Sequence, residues 1–175
     1  MNISRPVRNE IKRDFLTDNI EVIKTSQIVV LRLDEYLDKL KAIIKSNLSK
    51  TKDNDEHQSK LHGLAWVATY VESLKQMSIW ADRLLKNGSF SKTERIILIL
   101  SFNEYLNQIF GGIIMSQNEI IRPIDLDYQK MALETLNCKE VTFFTDEVDA
   151  NHLRSELIDL IIQNGSTSFI GNDGL

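Results

Sequence analysis

With 175 residues, the chain is long enough for one domain with a sizeable core. Its 42% apolar and 26% charged residues lie in the ordinary globular range and point neither to a disordered chain nor to a disulfide-stapled scaffold. A net charge of −4 argues against a nucleic-acid module, which needs a concentrated basic stripe, and Cys138, the sole cysteine, allows neither an intrachain disulfide nor a thiolate metal cage.

The stretch from Met1 to Phe15 has no apolar run to act as a signal-peptide core, so the chain reads as cytoplasmic. Its basic residues Arg5, Arg8, Lys12 and Arg13 are diluted by Glu10 and Asp14. A first long helix follows over about 19–48, with Thr17 and Asp18 as caps and Leu33, Leu37, Leu40 and Ile44 at helical spacing. Residues 49–58 are polar and read as a loop or a frayed helix start. The second helix covers about 59–86, where Val67, Tyr70, Leu74, Met77, Ala81 and Leu84 fall on one side. Asn87-Gly88 stops it, because the chain turns there through positive φ.

A third helix over about 92–115 opens on a capping box, Ser91 to Glu94, and enters Ile96-Ile97-Leu98-Ile99-Leu100. Apolar on nearly every side, it belongs at the centre of a bundle. The stretch from Ile96 to Asn118 has the length of a bilayer span, but Ser101, Asn103, Glu104, Asn107 and Gln108 interrupt its middle, and we expect no membrane span. Gly111-Gly112 marks an end or a kink. Shorter helices over about 127–136 and 150–163 follow, the last presenting Leu153, Leu157, Leu160 and Ile161 on one face. The expected fold is an all-α helical bundle: one domain over 1–165, then a Gly-rich tail or linker over 166–175.

A helical bundle invites a di-iron site built on Glu-x-x-His pairs, and none occurs. Asp149 to His152 has a similar spacing, but Asp149 stands where a helix cap belongs. His57, His62 and His152 are too scattered to read as a metal cluster, and the hydrolase, Walker and dinucleotide fingerprints are absent. His62, one turn before Trp66, either orients a ligand or bonds a neighbouring helix. Ser101, Glu104 and Gln108 form a polar stripe on an apolar helix. If Glu104 is buried it needs a partner, for which the second helix is the expected source. Trp66, Trp80, Tyr70 and Met77 read as core.

Two motifs carry a resemblance. His62-Gly63-Leu64-Ala65-Trp66-Val67-Ala68-Thr69-Tyr70-Val71-Glu72 is one; the other runs from Glu104-Tyr105-Leu106 through Gly111-Gly112-Ile113-Ile114-Met115-Ser116-Gln117-Asn118-Glu119-Ile120-Ile121-Arg122-Pro123. Both resemble the N-terminal helical extension of methylsuccinyl-CoA dehydrogenase-type members of the acyl-CoA dehydrogenase family, most strongly from His57 to Pro123. The resemblance implies an accessory domain that packs or docks without catalysing by itself. Family members bind FAD and acyl-CoA and use a glutamate base, and no residue here matches that base. It implies no catalytic or metal residue in this chain, and FAD only together with a partner dehydrogenase. The candidate interaction residues are His62, Trp66, Tyr70, Glu104, Gln108 and Arg122. The expected partner is a separately encoded acyl-CoA dehydrogenase or a second copy in a homodimer. The alternative reading has the chain contribute to a flavin or acyl-CoA pocket.

Overall fold

A computed structural model describes the backbone of residues 18–48, 54–117, 119–126 and 129–164. The basic cluster Arg5, Arg8, Lys12 and Arg13, Thr17, the stretch 49–53 and the tail 166–175 lie outside the described residues, as does the side chain of His57.

Three long helices carry the fold, each bounded by its own chemistry. Helix α1 spans Asn19–Leu48, and Asp18 caps it by accepting from the backbone N–H groups of Ile20 (2.8 Å) and Glu21 (3.2 Å). Helix α2 spans Asn54–Lys86, so it takes in residues 54–58, which are polar enough to read as a loop. It ends where Gly88 turns at φ 70°, with the Gly88 and Ser89 N–H groups donating to Leu85 and Leu84 carbonyls. Helix α3, Lys92–Gly111, opens on the expected capping box: Ser91 Oγ accepts from Thr93 N–H, and Ser91 N–H donates to Glu94 Oε2 at 2.9 Å.

Leu33, Leu37, Leu40 and Ile44 of α1 and Val67, Leu74 and Ala81 of α2 are all buried in one core. Tyr70, Met77 and Leu84 are half-buried at its edge, as are Trp66 and Trp80. The two helices pack along each other and share a buried polar link, Ser26 Oγ to Ser78 Oγ at 2.9 Å. Tyr36 is 1% exposed, and burial pushes its phenol up to about 12.

Helix α3 occupies the centre, as its composition demands. It touches α1 and α2 and, beyond its own end, several elements later in the chain. Ile96, Leu98, Ile99, Phe102, Leu106 and Ile109 are buried on one broad face of it.

The third helix does not reach residue 115. It stops at Gly111, because Gly112 sits at φ 134°, outside the helical region. The chain then forms an antiparallel hairpin of β1 (Ile113–Ser116) and β2 (Glu119–Ile121), pairing Ile113 with Ile121 and Ile114 with Ile120. A 3-10 turn, Pro123–Leu126, leads to α4 (Gln129–Leu136) and α5 (Lys139–Thr142). A π-turn over Phe143–Glu147 and α6 (Ala150–Asn164) complete the described chain.

Asp149 caps α6 by accepting from His152 N–H at 3.0 Å. Of the face expected on α6, Leu153 is buried and Leu157 and Leu160 are half-buried, whereas Ile161 is exposed. The π-turn is held by Asn103, which is itself buried and donates through Nδ2 to the Phe144 carbonyl at 2.7 Å. Phe102 and Phe144 stack beside that bond, 4.8 Å between centroids.

No helix among the described residues is long and apolar enough to cross a membrane. Asn103→Ala should cost about 1–3 kcal/mol in urea unfolding, since it strands a buried carbonyl. Ser91→Ala, at an exposed cap, should cost about 1 kcal/mol in the same measurement.

Candidate functional site: an aromatic and polar seam across three helices

Helical spacing places His62, Trp66 and Tyr70 one turn apart on α2, and Glu104 and Gln108 one turn apart on α3. The packing of α2 against α3 then joins the two sets. The Tyr70 hydroxyl donates to Gln108 Oε1 at 2.7 Å, and Gln108 Nε2 donates to Glu104 Oε1 at 2.9 Å. Arg154 of α6 closes the far end, its Nη2 donating to Glu104 Oε2 at 3.0 Å. At the other end Trp66 Nε1 donates to His62 Nε2 at 3.1 Å.

Aromatic rings fill the steps between these bonds. Trp66 meets Tyr70 edge-on at 6.4 Å, and Tyr70 meets Tyr105 edge-on at 4.6 Å. Partial burial, then the neighbouring Tyr105 and Glu104, push the Tyr70 phenol above its ordinary range.

Five of the six residues expected from sequence therefore form one continuous seam. Arg122 stands apart: it follows β2, its N–H donates to Asp125 Oδ2 at 2.8 Å, and its guanidinium lies 3.9 Å from the same oxygen. Glu104 settles the open question of its burial and corrects the expected source of its partner. Its side chain is 54% exposed, and its base comes from α6, not α2. In water such a pair contributes roughly 0–1 kcal/mol, so it orients more than it stabilises. Arg154 and Tyr105 are the members that sequence reading missed. A half-paired acid on α3 signals that a base exists somewhere, but nothing in the periodicity says which helix supplies it.

The two sequence motifs meet at one end of the bundle. Gly63 is buried in α2, and a Cβ there would lie 2.5 Å from Ile121 Cγ1 of β2 and 3.2 Å from Leu126. Gly63 thus serves a helix-to-hairpin approach, whereas a Cβ on Gly111 would meet nothing within 4 Å. Beside this contact an open depression is lined by Gln58, Ser59, Leu61, His62 and Glu119. The hairpin's outer surface is apolar, with Ile114 62% and Ile120 42% exposed as a cross-strand pair. Leu61 and Ile124 are also exposed on the segments flanking the contact. Among the described residues no three of His, Cys, Asp and Glu gather closely enough to hold a metal ion.

Across 72 residues the chain is 53% identical to (2S)-methylsuccinyl-CoA dehydrogenase of Cereibacter sphaeroides. The match covers 41% of this chain but 13% of that enzyme. No protein-family model matches the chain.

Gly63→Ala should cost about 1–3 kcal/mol by overpacking the Ile121 seat. Gly111→Ala, next to open space in a helical turn, should be neutral or stabilise by up to about 1 kcal/mol. Urea unfolding of the two variants side by side checks the contrast.

Proposed function

We propose, from the premise that the chain carries a region related to acyl-CoA dehydrogenases, that it is an accessory helical domain. It packs against an acyl-CoA dehydrogenase body, on the same chain or another, and catalyses nothing by itself. The observation that carries this reading is the high identity over a segment that makes up so small a part of the related enzyme. The segment behaves as a module within a larger machine. Two features support a packing role. The polar groups of the seam are committed to one another, from Tyr70 through Gln108 and Glu104 to Arg154. The hairpin offers Ile114 and Ile120 to the outside, a pair suited to burial against a partner.

In this reading the chain holds no flavin on its own. A flavin dinucleotide brings a diphosphate, and the depression beside His62 meets it with Glu119. Arg122 and Arg154 are each engaged with a carboxylate. In this reading FAD and acyl-CoA belong to the dehydrogenase body.

The test is affinity purification of the tagged chain from cells that also produce an acyl-CoA dehydrogenase body lacking the matching segment, with the absorption spectrum taken on the same sample. We expect co-elution at fixed stoichiometry with flavin absorbance. Replacing both Ile114 and Ile120 by Asp should weaken recovery at least about tenfold, a change of about 1.4 kcal/mol in association. A chain recovered alone and colourless, and at twice its mass in sedimentation, would instead assign the apolar pair to a second copy. Flavin or acyl-CoA affinity gained by the chain itself would favour the pocket-forming alternative.

A further inference from the structure

Two asparagines in the sequence precede a glycine, Asn87 and Asn164. The pair Asn87-Gly88 lies wholly among the described residues, in the turn between α2 and α3, and both members are exposed. A backbone nitrogen attacks the side chain of the preceding asparagine when that amide is free, when the attacking residue has no Cβ in the way, and when water has access. Asn87 meets all three conditions. Its side chain makes no hydrogen bond among the described residues. Gly88 stands at φ 70°, and even a Cβ there would meet nothing within 4 Å, so there is room for the ring that the attack closes. Asn103, by contrast, is buried and bound to the Phe144 carbonyl, Asn107 donates to the Asn103 carbonyl, and Asn19 and Asn151 accept from arginines. None of these four is followed by glycine.

One contact opposes the attack. The Gly88 N–H donates to the Leu85 carbonyl at 3.0 Å, which engages the nitrogen while the turn is closed. That bond belongs to the end of a helix, where local opening is far more frequent than unfolding of the chain.

We propose that Asn87 is a site of spontaneous modification by water, at which the folded chain acquires isoaspartate. As the turn opens, the Gly88 nitrogen gives its proton to solvent and bonds to Asn87 Cγ; the Cγ–Nδ2 bond breaks, ammonia leaves, and a cyclic imide closes. Water then opens the ring at either carbonyl. One opening leaves an ordinary aspartate, the other an isoaspartate whose main chain runs through the former side chain and is one carbon longer. Both put a negative charge at the C-terminal end of α2, the unfavourable end of its dipole. The longer main chain also disturbs the spacing by which the Gly88 and Ser89 N–H groups reach the Leu85 and Leu84 carbonyls. This inference stands independently of the docking reading, because it concerns a turn inside the chain.

The folded full chain, held at mildly alkaline pH and sampled over weeks, tests it by mass spectrometry of tryptic peptides beside a synthetic peptide of residues 84–92. The tryptic peptide 87–92 should gain the mass of one amide-to-acid exchange and become a substrate for an isoaspartyl methyltransferase. Its conversion should be slower than that of the free peptide by no more than about tenfold, the hold of one backbone hydrogen bond. The peptide carrying Asn103 and Asn107 should stay unchanged. In Gly88→Ala, where a methyl group hinders the nitrogen, conversion should fall well below that of the unaltered chain. Converted chains should exchange the Ser89 amide hydrogen faster than fresh ones. A peptide 87–92 that stays unchanged while the free peptide converts overturns the site. Equal conversion in Gly88→Ala overturns the route, and equal Ser89 exchange overturns the effect on the turn. The unaltered chain alone decides the first point, so a variant that fails to fold leaves the proposal testable.

Discussion

A helix that carries Ile96, Leu98, Ile99, Phe102, Leu106 and Ile109 on one broad face cannot lie free at a surface, and that constraint on α3 organises the molecule around it. Two helices do not cover that face. Helices α1 and α2 close part of it, while the π-turn and α6 come back from a distant part of the chain to close more. The cost of bringing them back is met in apolar burial and in two polar ties. One is Asn103 to the Phe144 carbonyl, deep in the core; the other is Glu104 to Arg154, at the surface. Of these the first matters more to stability, because a buried carbonyl left without its donor loses its full desolvation energy, whereas an exposed ion pair loses little.

The helices were legible in the sequence to the extent that their ends carry local chemistry. Ser91 with Glu94, Asp18, Asp149 and Asn87-Gly88 each act through hydrogen bonds to backbone groups a few residues away, so reading nearby residues is enough. The hairpin was not legible. Ile113, Ile114 and Met115 continue the apolar run of α3, and a short apolar run satisfies helix and strand patterns equally. What breaks the run is the backbone of Gly112 at φ 134°, which a glycine permits but does not announce. The π-turn was hidden for a similar reason: its distinguishing bond is donated by Asn103, forty-one residues earlier in the chain.

The site divides along the same line. His62, Trp66 and Tyr70, like Glu104 and Gln108, are neighbours because an α-helix makes them so, and helical spacing alone groups them. That the two groups join through Tyr70 and Gln108 depends on how α2 meets α3, and that Arg154 completes the seam depends on where α6 lands. Tertiary placement of this kind leaves no mark in spacing. Arg122 shows the converse. It belongs to a motif by sequence and adjoins that motif's hairpin in space, yet its own bonds turn it to Asp125 and away from the seam.

The contact between Gly63 and Ile121 ties two distant positions into one unit of variation. The missing side chain at one is the seat of the side chain at the other, so a larger residue 63 crowds Ile121 and a smaller residue 121 relieves it. The energies of such paired changes do not add. Enlarging residue 63 is therefore easier in a chain where residue 121 is already smaller, because the added carbon would otherwise lie 2.5 Å from Ile121 Cγ1.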